Sequence, residues 1–300
     1  MGDHLTKMTP GWLLPYLLAL DTLEAPALNY KGPGRWTWWL DACERGIVPA
    51  SPIPRIEFAM WPDPEAEKHL HEVLQVHVAQ VDSWYDEAWL MLVRWLLHGM
   101  GRRGMVEEVE RIPSAVRNTW YELFNLGMLL KQPAIDWSAH ILQGAPRWMG
   151  HNGSRWARST AFFATPMNVA TMMAAMTFTG SDPERAKVES VIDPCCGTGS
   201  MLLPASNYSL RLSGCDIVPD LCLCAELNGW LWVPWLVHMP TPMRAALEAA
   251  HQERVPCAPG EVVATPALVL PVGVLECAAA DAVEQTVPTP AVPCQQRLWE

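Results

Sequence analysis

The sequence predicts an α/β protein: a parallel sheet of the βαβ kind, preceded by a helical segment. Three observations carry this. Around Ser190–Ser200, which reads SVIDPCCGTGS, an apolar pair (Val191, Ile192) runs into Asp193, the glycine-rich turn Gly197-Thr198-Gly199 follows, and Met201-Leu202-Leu203 suits a helix. This is the strand–loop–helix layout in which a βαβ sheet binds a nucleotide-like ligand at the carboxyl ends of its strands. A second strand-like run, Leu210 to Cys215, ends in another acid, Asp216. Upstream of residue 145 the apolar spacing is helical.

The turn is compatible with three ligand classes, and the residues separate them. A phosphate-binding loop needs Gly-Lys-Ser/Thr, and no lysine lies near here. A dinucleotide fold wants G-x-G-x-x-G, but the third place is Leu202, which argues against an oxidoreductase. What remains is an acid at a strand end, then G-x-G, then a second acid closing the next strand, where a carboxylate can accept hydrogen bonds from both ribose hydroxyls. A glycine-rich turn can also be only a tight loop. The two acids, in register on consecutive strands, favour a ligand.

The segment DPCCGTGSMLLPA (Asp193–Ala205) resembles the S-adenosylmethionine motif of amino-group DNA methyltransferases, especially the adenine-specific (N6) modification subunits of type I restriction-modification systems. Those proteins carry an upstream signature, aromatic-x-T-P-x-x-[VI]-x-x-[LM]-[LM], and Phe163-Ala164-Thr165-Pro166-Met167-Asn168-Val169-Ala170-Thr171-Met172-Met173 matches it. They also place an acid after the second strand and a helix ending in Asn-Gly, which Asp216 and Asn228-Gly229 fit. The likeness runs from Thr160 to Asp281. It implies a Rossmann-like S-adenosylmethionine-dependent methyltransferase fold and a cofactor site built from Phe163, Thr165, Pro166, Asp193, Pro194, Gly197, Thr198, Gly199, Asp216 and Asp281. Phe163, Thr165 and Pro166 would wall the methionine side. Asp281, after a third strand at Val272–Cys277, would meet the adenine amino group, although Ala280 stands where the family usually has glycine.

One family element has no counterpart. Amino-methyltransferases use a fourth-strand [N/D]-P-P-[Y/F] motif to orient the target amino group and stack the flipped base. The 300 residues contain none, and only 19 follow Asp281. The expected sheet is therefore incomplete, and no catalytic residue is assigned.

The net charge of −11 is spread over both halves, with 13 basic against 18 acidic residues in 1–150 and 8 against 14 in 151–300. A protein that grips DNA by itself normally shows a basic face, so any contact with DNA is expected to be local or borrowed from a partner subunit or missing region. Nine cysteines with no CxxC pair argue against zinc, and no metal site is expected. The odd count and lack of a signal peptide point to the cytoplasm. No long apolar run suggests a membrane span. Half of the residues are hydrophobic, ample for a core.

In chain order, residues 1–60 read as short helices and loops with tryptophans at 36, 38 and 39. Glu65–Gly99 is helical with a break near Asp82-Ser83, and Trp89, Leu92, Val93, Leu96 and Leu97 share a core-facing stripe. His69, His71 and His77 lack the HExxH spacing and read as a helix face. Arg102, Arg103, Arg111 and Arg117, interleaved with Glu107, Glu108 and Glu110, read as a salt-bridged surface. Val116–Leu130 reads as a helix ended by Pro133, closing a helical domain over 1–145. Residues 146–300 form the expected methyltransferase-like domain, entered through the Gly144–Gly153 linker. There Pro166 opens a helix with Val169, Met172, Met173 and Met176 on one apolar face, Pro219–Trp230 forms another helix, Trp230, Trp232 and Trp235 pack in the core, and Arg244–Arg254 makes a short helix.

Two functions follow as expectations. The first is an adenine-specific DNA methyltransferase whose catalytic strand comes from elsewhere, such as a second polypeptide supplying the remaining strands or a continuation lost from this chain. The second is a non-catalytic module that binds the cofactor or a partner.

Overall fold

The computed structural model describes residues 9–28, 30–149 and 154–254. The expected third strand and Asp281 lie outside the described residues.

The first third is helical. Helix α1 (Leu14–Asp21) and helix α2 (Arg35–Arg45) flank a two-stranded antiparallel ribbon, β1 (Glu24–Ala25) with β2 (Tyr30–Lys31). Helix α2 starts after Gly34, which has no side chain to cap it. Asp21 does so from a distance: its two carboxylate oxygens accept the N–H groups of Trp36 (3.1 Å) and Thr37 (2.8 Å). Helices α3 (Pro64–Val81) and α4 (Tyr85–Gly99) follow, and the expected break falls at Asp82, whose φ is +52°. Trp89, Leu92, Val93, Leu96 and Leu97 are all fully buried, as the periodicity requires.

Helix α5 (Val106–Glu110) precedes α6 (Ser114–Leu123), α7 (Leu126–Leu129) and α8 (Trp137–Leu142). The single helix expected over 116–130 is thus two helices. Phe124 is extended, the Asn125 side chain caps Gly127 N–H at 2.9 Å, and the Asn125 N–H donates to His69 Nε2 at 3.0 Å. That tertiary bond from α3 captures the donor that would have continued the helix.

Several of the sixteen tryptophans acquire a role here. Trp36 stacks on Trp230 (5.2 Å between ring centroids) and donates its indole N–H to Trp230 O at 2.8 Å. Trp39 donates to His238 O, Trp120 to Val73 O, Trp137 to Leu129 O and Trp232 to Ile135 O, at 2.7–3.0 Å. Leu129 and Trp230 lie in the last turns of their helices, where carbonyls lack partners. Each ring fills apolar space and satisfies a buried acceptor at once. Trp230, Trp232 and Trp235 are core residues, as expected.

The second part begins with α9 (Arg155–Thr160), which was not expected, and α10 (Met167–Phe178). The apolar face assigned to α10 is corrected. Met167, Ala170, Ala174 and Phe178 are buried, whereas Met172, Met173 and Met176 are exposed. Helix α11 (Pro183–Ala186) leads into strand β3 (Ser190–Asp193), and α12 (Leu202–Ala205) crosses to β4 (Arg211–Gly214). The two strands pair in parallel, with Ser190 opposite Arg211 and Asp193 opposite Gly214. Among the described residues β3 pairs with no other strand. Helices α13 (Pro219–Trp232), α14 (Pro234–Val237) and α15 (Thr241–Arg254) complete the described chain.

The core runs without interruption from the first part to the second. Arg35 of α2 is fully buried and donates to Pro54 O, Ser206 Oγ, Asn207 Oδ1 and Trp232 O, with its guanidinium over the Trp235 ring at 5.0 Å. Burial lowers its pKa to about 9, still well above neutrality. Helix α13 is pinned to the α4 region by Arg94–Asp220 (2.5 Å) and Arg102–Glu226 (2.7 Å). Desolvation raises the Glu226 carboxyl to about 7 against the pull of Arg102.

Candidate functional site at the ends of the two parallel strands

The site grows from the carboxyl end of β3. Asp193 closes the strand and its Oδ1 accepts the Cys195 N–H at 3.1 Å. Cys196 N–H bonds to Cys215 O and Cys215 N–H to Asp193 O, carrying the ladder past the strand ends. Gly197 (φ +56°) and Gly199 (φ +86°) then take left-handed conformations that a side chain would oppose. The expected apolar helix follows as α12.

Leu202, at the place where a dinucleotide fold has its third glycine, is buried. The close approach such a glycine allows comes from the opposite side: a Cβ on Gly214 of β4 would stand 2.8 Å from Leu202 Cδ1. The helix–strand contact is preserved with the glycine moved onto the strand.

The two acids do not sit opposite each other. Asp193 pairs with Gly214, so Asp216 falls two residues beyond the strand. It turns back: Oδ2 accepts the Gly197 N–H and Oδ1 the Val218 N–H, both at 3.0 Å. Each oxygen keeps a second lone pair for an external donor. Ile217, next to it, is 97 % exposed.

Behind the turn, Thr198 and Ser200 are buried and both hydroxyls donate to Asp136 Oδ2 at 2.7 Å. Asn228 of α13 donates to Asp136 Oδ1 (2.9 Å) and to Thr198 O (2.8 Å). Gly229 allows α13 to meet α14: a Cβ there would lie 2.4 Å from Val237 Cγ1.

Phe162, just ahead of the Thr165-Pro166 signature, reaches the turn from the other side. Ser154 Oγ–H and Trp156 N–H both donate to Asp86 Oδ2 of α4 at 2.8 Å, which anchors α9. Trp156 meets Phe162 edge-on at 5.8 Å, and a Cβ on Gly197 would stand 3.1 Å from Phe162 Cε2. Phe162 is the aromatic ring against the turn, whereas Phe163 is 80 % exposed. Pro166 is exposed at the start of α10, and Thr165 beside it is partly exposed. Pro194 is exposed at the site rim.

Cys196, Cys215 and Cys222 lie near the same loop. Burial holds the Cys196 and Cys222 thiols above their usual range. The three histidines of α3 have structural partners: His69 as above, His71 with Tyr85 and Trp148, and His77 with Ser83 and Trp120. Arg111 pairs with Glu108 on the surface, as expected, but Arg102 is corrected: it is buried and pairs with Glu226 of α13.

Asp136 and Phe162 were missed in the sequence. An aspartate three residues before an alanine at a helix start signals a cap, which Asp136 also is, accepting Ala139 N–H at 2.9 Å. Nothing local in the sequence tells that its other lone pairs face residues 198, 200 and 228.

A parallel strand pair set among helices makes this a mixed α/β protein. Residues 148–214, under a quarter of the chain, match the family described as N-6 DNA Methylase. The match takes in both the Thr165-Pro166 signature and the glycine turn, and it supports a relationship to the N6-adenine DNA methyltransferases. No curated protein and no solved structure matches the chain. No helix among the described residues is long and apolar enough to cross a membrane.

Proposed function

We propose that this chain binds S-adenosylmethionine at the carboxyl ends of β3 and β4 and serves N6-adenine methylation of DNA, as a modification-subunit-like component of a restriction-modification system. The observation that carries the reading is the turn itself: two left-handed glycines beside a carboxylate with lone pairs to spare, inside the segment that matches the N-6 DNA Methylase family. The residues fit the cofactor. Gly197 and Gly199 keep the turn free of side chains, the Asp216 carboxylate accepts ribose hydroxyls, and Ile217 offers apolar surface to the adenine. Phe162 and Thr165 border the methionine side. Bound there, S-adenosylmethionine supplies an electrophilic methyl group on its sulfonium. This chain's part is to hold and orient it.

The 300 residues contain no [N/D]-P-P-[Y/F] motif, so nothing identifiable here orients a target amino group. In this reading DNA is engaged together with a partner, or a further region of the protein, that brings those residues. The alternative, a non-catalytic cofactor module, shares the binding step.

Calorimetry on the pure chain tests the reading. Heat with S-adenosylmethionine is expected and none with NAD; the reverse pattern would sink it. Asp216→Ala removes a charged acceptor worth ~1.5–3 kcal/mol and frees the turn, so affinity falls at least about tenfold. Tritium from labelled cofactor is expected not to reach mixed-sequence DNA with the chain alone. Turnover would refute the need for a partner.

A further inference from the structure

We propose that Asp136, from the helical part of the chain, is the positioning residue that holds the glycine turn in its ligand-binding shape; the inference rests on the S-adenosylmethionine reading of that turn. Asp136 is 5 % exposed, and its carboxylate accepts four hydrogen bonds. Oδ2 takes the hydroxyls of Thr198 and Ser200, both at 2.7 Å; Oδ1 takes Asn228 Nδ2–H and Ala139 N–H, both at 2.9 Å. Four donors fill the lone-pair capacity of a carboxylate, so the ionised group is fully satisfied without water.

The placement is informative. Thr198 and Ser200 flank Gly199, the residue with φ +86°. Glycine reaches that conformation freely but is equally free to leave it. Two hydroxyls tied to one buried anion fix the chain on either side, so the turn does not have to be ordered when a ligand arrives. The anchor is itself held. Trp232 Nε1–H donates to Ile135 O at 3.0 Å. Ala134 exchanges backbone bonds with residues 57 and 59, Ala134 N–H to Glu57 O (2.8 Å) and Ala59 N–H to Ala134 O (2.9 Å).

Asp136 touches no ligand in this account; it acts through Thr198 and Ser200. Asp136→Asn keeps one oxygen for Asn228 and Ala139 and offers an NH2 to the two hydroxyls, which can rotate to accept. It should rescue what Asp136→Ala loses.

The experiment combines calorimetry with S-adenosylmethionine, hydrogen exchange of the residue 197–201 amides without ligand, and thermal melts. For Asp136→Ala the expected result is a loss of about tenfold in cofactor affinity and faster exchange confined to the turn, with Asp136→Asn close to wild type in both. Wild-type affinity and wild-type exchange in a folded Asp136→Ala would overturn the inference. If that variant does not fold, Thr198→Val, which keeps the side-chain shape and deletes one hydroxyl, decides on the same two readouts. If the wild-type chain binds no S-adenosylmethionine, the functional reading falls by itself. Exchange alone then judges Asp136: faster turn amides support it, and unchanged amides overturn it.

Discussion

At Glu226 a single carboxyl is caught between burial and Arg102. Its pKa is raised from 4.5 to about 7, so between those values the folded protein binds a proton that the unfolded chain has released. The contribution of this group to stability is therefore fully present below pH 4.5 and is lost as pH rises through about 7. Glu226→Gln removes the titration while keeping size and an acceptor for Arg102. Burial pulls His69, His77 and His140, elsewhere in the fold, the other way in pKa, which makes a difference measurement the right one. The melting temperature of wild type minus that of Glu226→Gln should rise as pH falls from 7 to 5, and a flat difference would contradict the account. Glu226 carried no signal in the sequence, because its burial depends on α13 packing against a segment more than 120 positions away. The glycines and Asp216 were legible because a strained turn admits few residue types. The turn back of Asp216 onto Gly197 N–H was not, since it depends on a register set by strand pairing.

At the level of elements, α10 shows where pattern reading stops. A helix was evident from its length and its start after Pro166, but its composition is apolar nearly all round, so the sequence holds no contrast from which to choose a face. Favouring the larger methionines selected the exposed side. The structure buries the small Ala170 and Ala174 on a helix that packs against α12. Ala170→Leu should therefore overpack that contact and cost about 1–3 kcal/mol, whereas Met176→Gln, at a site 69 % exposed, should stay within about 0.5 kcal/mol of wild type. Urea unfolding of both variants checks the register, and the opposite ranking would restore the original face. The helix α4 stripe, by contrast, lies in the core because that helix is buried on nearly every side, so an apolar stripe placed on it meets a neighbour wherever it falls. The α6–α7 break was invisible because a histidine on α3 causes it.

Over the whole molecule, the helical part and the strand–turn–helix part meet at the candidate site itself. Asp136 holds the turn from behind, Asp86 anchors the segment that brings Phe162 to Gly197, and Arg35, Arg94 and Arg102 tie the helical part to Ser206, Asp220 and Glu226. The sequence announced the two parts by their different patterns. It could not announce their junction, because long-range hydrogen bonds leave no periodic trace. The central claim is that S-adenosylmethionine lies at this junction. Ultraviolet cross-linking of labelled S-adenosylmethionine to the full chain, followed by peptide mapping, tests it most directly. Label is expected on peptides covering 156–166 and 193–218, and it should be lost with Asp216→Ala. Label elsewhere in the chain, or undiminished in that variant, would contradict the account.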